Sequence, residues 1–312
     1  MKSDAALHFD CSSGISGDMT LGALVELGSR LEPGFDSEYL RKELRKLPVD
    51  GWSLDFCRDE RCGITGTRAL VKIDGEEPVH DHHHDGHGHH HHDHEHDHEH
   101  HDHHAHHDHH EHTHRRWKDI RAMIQDSTLG EGVKARALDI FRRIAEAEGA
   151  VHGLPPDEVA FHEVGALDSI IDIAGAAICL DALGPKRITA SRIELGGGTV
   201  RCAHGVLPVP APATLALCKG LPVSSGGFDQ EMTTPTGAAI LASCVDEFVV
   251  RGNFTELETA CGIGTRKTGR PNVLRVSWRR EESPPRESAS WRTETLIQLE
   301  TSVDDMTGEA LG

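Results

Sequence analysis

The apolar run at residues 6–10 (Ala-Leu-His-Phe-Asp) is short and reads as a buried strand. It ends at an Asp and enters the Gly/Ser-rich stretch 11–18. Residues 18–28 then have helical spacing, with Gly28 as a stop. Leu40, Leu44 and Leu47 follow Asp36-Ser37-Glu38, which predicts a helix over 36–48 that Pro48 ends. Residues 52–57 alternate loosely and 67–73 more regularly, so two strands flank a turn at 62–66. Helical periodicity returns at 117–125 and at 133–152, where Leu138, Phe141, Ile144, Ala145 and Val151 share a face. Residues 159–162 read as a strand end. Residues 168–183 read as a helix so apolar that it must be buried.

Residues 188–195 predict a strand running into Gly196-Gly197-Gly198-Thr199. Pro208, Pro210 and Pro212 fall at every second position and hold the chain extended until a helix starts at Pro212. A hydroxyl-rich loop precedes a helix at 233–241, and 273–278 is a last strand. Strands near 6–10, 67–73, 188–195 and 273–278 are expected to share a sheet, with helices at 18–28, 133–152 and 168–183 covering it. The fold class is α/β: a single sheet-and-helix domain over 1–279. Residues 280–293 are a charged, Pro/Ser-rich linker. Residues 294–312 read as the beginning of an incomplete C-terminal domain.

The body is interrupted at 80–114 by a tract with 22 of the 26 histidines, nine Asp or Glu, and no Lys or Arg. Nothing apolar larger than Ala occurs in it, so it has too little to bury to offset the entropy of ordering. A long disordered insertion is expected. Its imidazoles are mostly neutral at pH 7, since an unperturbed His titrates near pH ~6.5. Imidazole suits Zn, Cu, Fe and Ni. The candidate metal ligands are His82, His83, His84, His89, His90, His91, His92, His94, His96, His98, His100, His101, His103, His104, His106, His107, His109 and His110. An inert acidic linker or an engineered tag are the other readings. The internal position and the interleaved acids count against a tag.

The net charge of −19 changes the picture of partners. Without the tract the chain still carries 42 acids against 32 bases, so a non-specific nucleic-acid surface is excluded as an expectation. No run of eighteen apolar residues is present for a membrane span, and the N-terminus lacks the apolar stretch of a signal peptide. A cytoplasmic homo-oligomer is expected. The eight Cys form no CxxC pair and are expected to be mostly buried thiols.

Candidate chemistry gathers at the element ends. The loop Ser13, Gly14, Ser16, Gly17 offers hydroxyls and backbone N–H groups at a helix N-terminus, which suits phosphate. A tight turn with Asp18 as helix cap fits it equally well. Asp10 and Asp18 flank the loop. His162, Glu163, Asp168 and Asp172 crowd the start of the buried helix, where they must pair, bond or coordinate. They read as an acid–base or metal site, or as a helix cap plus an ion pair. Cys202 and His204 lie two apart on an extended segment, as ligands or as structural residues. Thr234, Thr236 and Gly237 form a second hydroxyl loop suited to phosphate, with Arg201, Arg266 and Lys267 as candidate anion partners.

Taken together, several blocks resemble the LarC family: 9–19 (FDCSSGISGDM), the His tract, 161–172 (FHEVGALDSIID), 202–212 (CAHGVLPVPAP), 234–239 (TPTGAA) and 301–306 (TSVDDM). The resemblance covers nearly the whole chain. It implies nickel insertion into pyridinium-3,5-bisthiocarboxylic acid mononucleotide, giving the nickel-pincer cofactor of lactate racemase. Ni–S and Ni–C bonds form in that reaction. It further implies a CTP-dependent enzyme, a cyclometallase of the lyase class, using Mn or Mg. Family members continue beyond the Asp304-Asp305-Met306 turn into a domain associated with CTP. The implied partners are therefore that separate C-terminal domain and lactate racemase apoprotein. Forming Ni–C requires loss of a ring proton, and His162 or Glu163 is the favoured acceptor. A non-catalytic nickel store or chaperone is the alternative.

Overall fold

The computed structural model describes residues 5–74, 115–161, 164, 166–202, 205–249, 252–267 and 269–281. The His tract, His162, Glu163, His204 and residues 282–312 lie outside them. Contacts divide the chain into Met1–Glu281 and Glu282–Gly312. All elements below belong to the first unit.

The architecture is mixed α/β. Strand β1 (Ala5–Asp10) is flanked by β11 (Val273–Glu281) and β4 (Arg187–Ala190) in a seven-stranded sheet of order β2-β3-β10-β11-β1-β4-β9. The others are β2 (Trp52–Arg61), β3 (Ile64–Ile73), β9 (Glu247–Phe248) and β10 (Phe254–Ile263). β1 runs parallel to β4, β4 to β9, and β10 to β3, whereas β11 and β2 are antiparallel to their neighbours. The alternation of β1 explains its two faces. Leu7 and Phe9 are fully buried beside Trp278 and Val276 of β11. His8 points the other way, where its Nδ1 lies 2.9 Å from the Thr189 hydroxyl. Burial, with the Arg279 charge, lowers the His8 pKa to about 4 and keeps the ring neutral.

Helix α1 (Gly17–Leu31) packs on β3, β10 and β11. The approach is close because β10 carries Gly262, where a Cβ would lie 1.8 Å from the Met19 carbonyl oxygen. α5 (Leu167–Leu183) packs on α1. It is also contacted by α2 (Ser37–Leu44), α4 (Glu131–His152) and α7 (Pro235–Cys244), which is why its sequence is apolar all round. α3 (Trp117–Asp126) and α6 (Pro212–Leu217) pack on α4. Truncating a fully buried core residue such as Leu24 to Ala is a loss of about 2–5 kcal/mol.

Several boundaries differ from the sequence reading. The expected strand 188–195 is two strands in two sheets. β4 ends at Ala190, and β5 (Ile193–Glu194) pairs with β8 (Val223–Ser224). The break is made by Ser191, whose N–H donates to the Phe9 carbonyl while its hydroxyl accepts from Cys11 N–H. Residues 159–161 form only an isolated bridge, Ala160 to Arg116. Pro208 closes a short hairpin, β6 (Thr199–Cys202) with β7 (Gly205–Pro208), and Pro210 and Pro212 follow it. Strand β10 was not anticipated. Its first half is exposed and acidic, so it lacks the apolar alternation of a strand beside the core. Helix α4 belongs to an outer layer, on α5, α6 and α7. Among the described residues no helix is long and apolar enough to cross a membrane.

Candidate active site at three helix N-termini

Beyond the carboxyl ends of β1 and β10 lies a cleft of about 450 Å³. The loop after β1 reaches it by a turn at Gly14, φ +78°, closed by Gly14 N–H on the Cys11 carbonyl. That loop is then zipped to a distant segment. Ile15 N–H donates to the Met232 carbonyl at 3.0 Å, and Thr234 N–H donates to the Ile15 carbonyl at 3.1 Å. A Cβ on Gly14 would strike the Met232 oxygen at 2.0 Å, so this seam requires glycine. The seam brings the N-terminus of α1 beside that of α7. Thr234 caps α7 by accepting from Gly237 N–H at 3.2 Å. Ser16 occupies the N-cap position of α1. Asp18 sits within the first turn instead of capping, accepting from the Ser16 hydroxyl and, at 3.2 Å, from the Thr265 hydroxyl.

The third N-terminus is that of α5. Ala166 is at its N-cap, and Asp168 lies in the first turn, accepting from Ser169 N–H at 2.7 Å. Both placements put carboxylates at positive helix ends. Asp172, one turn further, faces the cleft between them. Its Oδ1 is buried with no hydrogen-bond partner. Burial first, then the Asp18 and Asp168 charges, push its pKa well above the ordinary carboxylate range. The shift favours the neutral acid, which can donate a hydrogen bond as well as accept one.

A second cavity of about 410 Å³ adjoins the cleft and shares Glu231, Pro235 and Arg266 with it. The hairpin β6–β7 supplies Val200, Arg201, Cys202 and Leu207, and α6 supplies Pro212 and Ala213. His152, at the end of α4, lines it 3.3 Å from a Glu148 carboxylate oxygen. At the junction, the Arg266 guanidinium donates to the Glu231 carbonyl and, at 3.2 Å, to its carboxylate. The buried Arg61 holds this turn by donating to the Arg266 and Thr265 carbonyls.

The family model for nickel insertion protein matches residues 7–312. The chain belongs to this family. It is 47% identical, over 98% of its length, to the pyridinium-3,5-bisthiocarboxylic acid mononucleotide nickel insertion protein of Clostridium acetobutylicum, covering 70% of that protein. It is 46% identical over 98% of its length to a putative nickel insertion protein of Wolinella succinogenes, covering 66% of it. It is 43% identical over 97% to the bisthiocarboxylic acid mononucleotide nickel insertion protein of Akkermansia muciniphila, again covering 66%. The chain thus spans about two thirds of the length of these relatives. No solved structure matches it.

Within this family member the structure gathers Ser16, Gly17, Asp18, Asp168, Asp172, Thr234 and Thr236 around one cleft. It does not bring Asp10 to either cavity. That carboxylate pairs with Arg275 at 3.2 Å and accepts from Ser12 N–H. Ser13, Gly14 and Gly237 also stand outside both linings, the two glycines being used in packing. Cys202 lines the second cavity. Of the other thiols, Cys11, Cys179, Cys218 and Cys244 are buried, whereas Cys57 and Cys62 are exposed. The sequence reading missed Glu231, Ser169, Asn272 and His152. None sits at a spacing that marks a site, and only the end of a long amphipathic helix could have flagged His152. Among the described residues no three His, Cys, Asp or Glu form a metal-binding group.

Proposed function

We propose that the chain is the nickel-inserting body of a pyridinium-3,5-bisthiocarboxylic acid mononucleotide nickel insertion protein. The observation that carries this is the convergence of three helix N-termini with Asp172 on one cleft. Backbone N–H groups at helix starts, with the Ser16, Thr234 and Thr236 hydroxyls, suit a mononucleotide phosphate. A protonated Asp172 adds a donor and removes one negative charge that would repel it.

In the reaction the Ni(II) substrate gains two bonds to thiocarboxylate sulfurs and one to a ring carbon, and that carbon loses its proton. Asp18, Asp168, His162 and Glu163 are the groups proposed to accept it, with His162 or Glu163 favoured. Cys202, with His204, is proposed to pass nickel inward from the His tract. The product would be the nickel-pincer cofactor of lactate racemase, which makes the chain a cyclometallase of the lyase class. A Mn or Mg ion that arrives with CTP takes only one or two carboxylates besides the phosphate oxygens, so it follows the nucleotide. We assign CTP and its cation to the part of the relatives that this chain does not span. Arg280 and Glu281 belong to β11, so the linker would then be 282–293, and 294–312 the opening of that domain.

The test is incubation with Ni(II), CTP, Mn or Mg and the thiolated pyridinium mononucleotide, with the relatives' C-terminal portion supplied in trans. The expected result is the absorbance of a pincer complex, lost in His204→Ala although bulk nickel loading persists. Bulk nickel binding without any pincer formation would make the chain a nickel store instead.

A further inference from the structure

The cleft accounts for the phosphate end of a mononucleotide, but the adjoining cavity has a different chemistry. Its walls include the aliphatic side chains Val200, Leu207 and Ala213. Val200 and Leu207 are directly paired across the β6–β7 hairpin, so together they form one apolar plate. The cations of the cavity lining are Arg201, on the more exposed face of β6, and Arg266, which is paired with Glu231; its carboxylates are Glu231 and Glu148. Arg266 belongs to both cavities, and Pro235, at the first position of α7, forms their common wall. A flat, apolar-faced ligand with anionic substituents fits such a chamber, because the faces lose water against aliphatic carbon while the substituents meet guanidinium.

We infer that the two cavities are one trough, and that the aliphatic chamber beside Arg201 receives the aromatic ring of a pyridinium mononucleotide whose phosphate lies at the helix N-termini. This orientation rests on the proposed phosphate site. It makes Leu207 and Val200 ring-contacting residues, Arg201 the partner of an anionic ring substituent, and Arg266 the divider between ring and ribose. It also puts the ring next to the Cys202 thiol, which lines the same chamber.

The experiment is calorimetric titration of the full chain with three probes: ribose 5-phosphate, nicotinamide mononucleotide and nicotinic acid mononucleotide. The ring is expected to tighten binding over ribose 5-phosphate about tenfold or more, the scale of burying one ring face. The carboxylate of nicotinic acid mononucleotide should tighten it further. Leu207→Trp should fill the chamber and return both ring-bearing probes to the affinity of ribose 5-phosphate, itself unchanged. Val200→Trp, on the facing strand, checks that outcome should the first variant fold poorly. Arg201→Leu should erase the preference for the acid over the amide. Ribose 5-phosphate binding as tightly as both mononucleotides would overturn the ring chamber and leave the phosphate site standing. A Leu207→Trp chain that keeps full affinity for the mononucleotides would do the same. Failure of all three probes to bind wild type would overturn the phosphate site, and the ring assignment with it.

Discussion

A methyl group placed on Gly17 would lie 2.4 Å from Oδ2 of Asp172 and 2.6 Å from its Cβ. The first turn of α1 and the buried acid of α5 are therefore in van der Waals contact with no slack. Gly17→Ala should cost about 1–3 kcal/mol, the usual range for overpacking. Asp172→Ala in the same chain should recover only the part due to the carboxylate, because its Cβ would still lie 2.6 Å from the added methyl. Denaturant melts of the two single variants and the double variant would measure the coupling, and strict additivity would show that the contact is not tight.

Asp172 also gives the fold a pH dependence of known sign. An unfolded Asp titrates near ~3.9. Native Asp172 keeps its proton to higher pH, because of burial and its two acidic neighbours. Between those values the native state binds more protons, so this group's contribution is complete below ~3.9 and declines as pH rises toward the native pKa. Asp172→Asn removes the titration. The variant should gain on wild type as pH is raised from about 4, and denaturant midpoints for both chains across that range would show it.

Asp139 supplies the opposite sign. Burial would raise its pKa, but bonds from the Ser243 hydroxyl and the Arg142 and Arg143 guanidinium groups outweigh it and bring the value to about 2. The Ser243 bond, 2.6 Å, ties α4 to α7. Its stabilisation is present above the unfolded value of ~3.9 and lost as pH falls toward 2. Wild type should exceed Asp139→Asn in thermal stability near neutrality. That gap should close on acidification through this window.

Deleting residues 80–114 should remove most of the nickel bound at equilibrium. The melting of the α/β body should not change, because the deleted sequence holds no apolar residue larger than Ala. Equilibrium dialysis of both chains tests this, and undiminished nickel stoichiometry would exclude the tract as the metal pool. Acidifying below about pH 6 should also release the metal from the intact chain, since imidazolium cannot ligate.

Much of the fold was legible in local patterns. The run 6–10, the glycine-rich loop and the periodic helix after it appear as β1, a turn and α1. The all-round apolar sequence of 168–183 appears as the helix enclosed by four others. These depend on nearest neighbours and on which face is apolar, and a sequence states both. The composition of 80–114 likewise makes imidazole coordination of a metal an expectation that needs no reference to any fold.

Tertiary structure decided what stands next to what. Nothing within the spacing of 9–19 or 233–241 says that Ile15 will exchange hydrogen bonds with Met232 and Thr234, yet that seam puts two helix N-termini on one cleft. The apolar run 188–195 satisfies one sheet and then another, and only Ser191, bonding Phe9 and Cys11, determines where it breaks. Asp10, at the end of β1 and a plausible site residue by sequence, is drawn to Arg275 on the neighbouring strand. The physical reason is common to all three. Burial propensity is a property of a residue and its close neighbours, whereas the choice among long-range hydrogen-bond and charge partners is a competition settled only when the whole core packs.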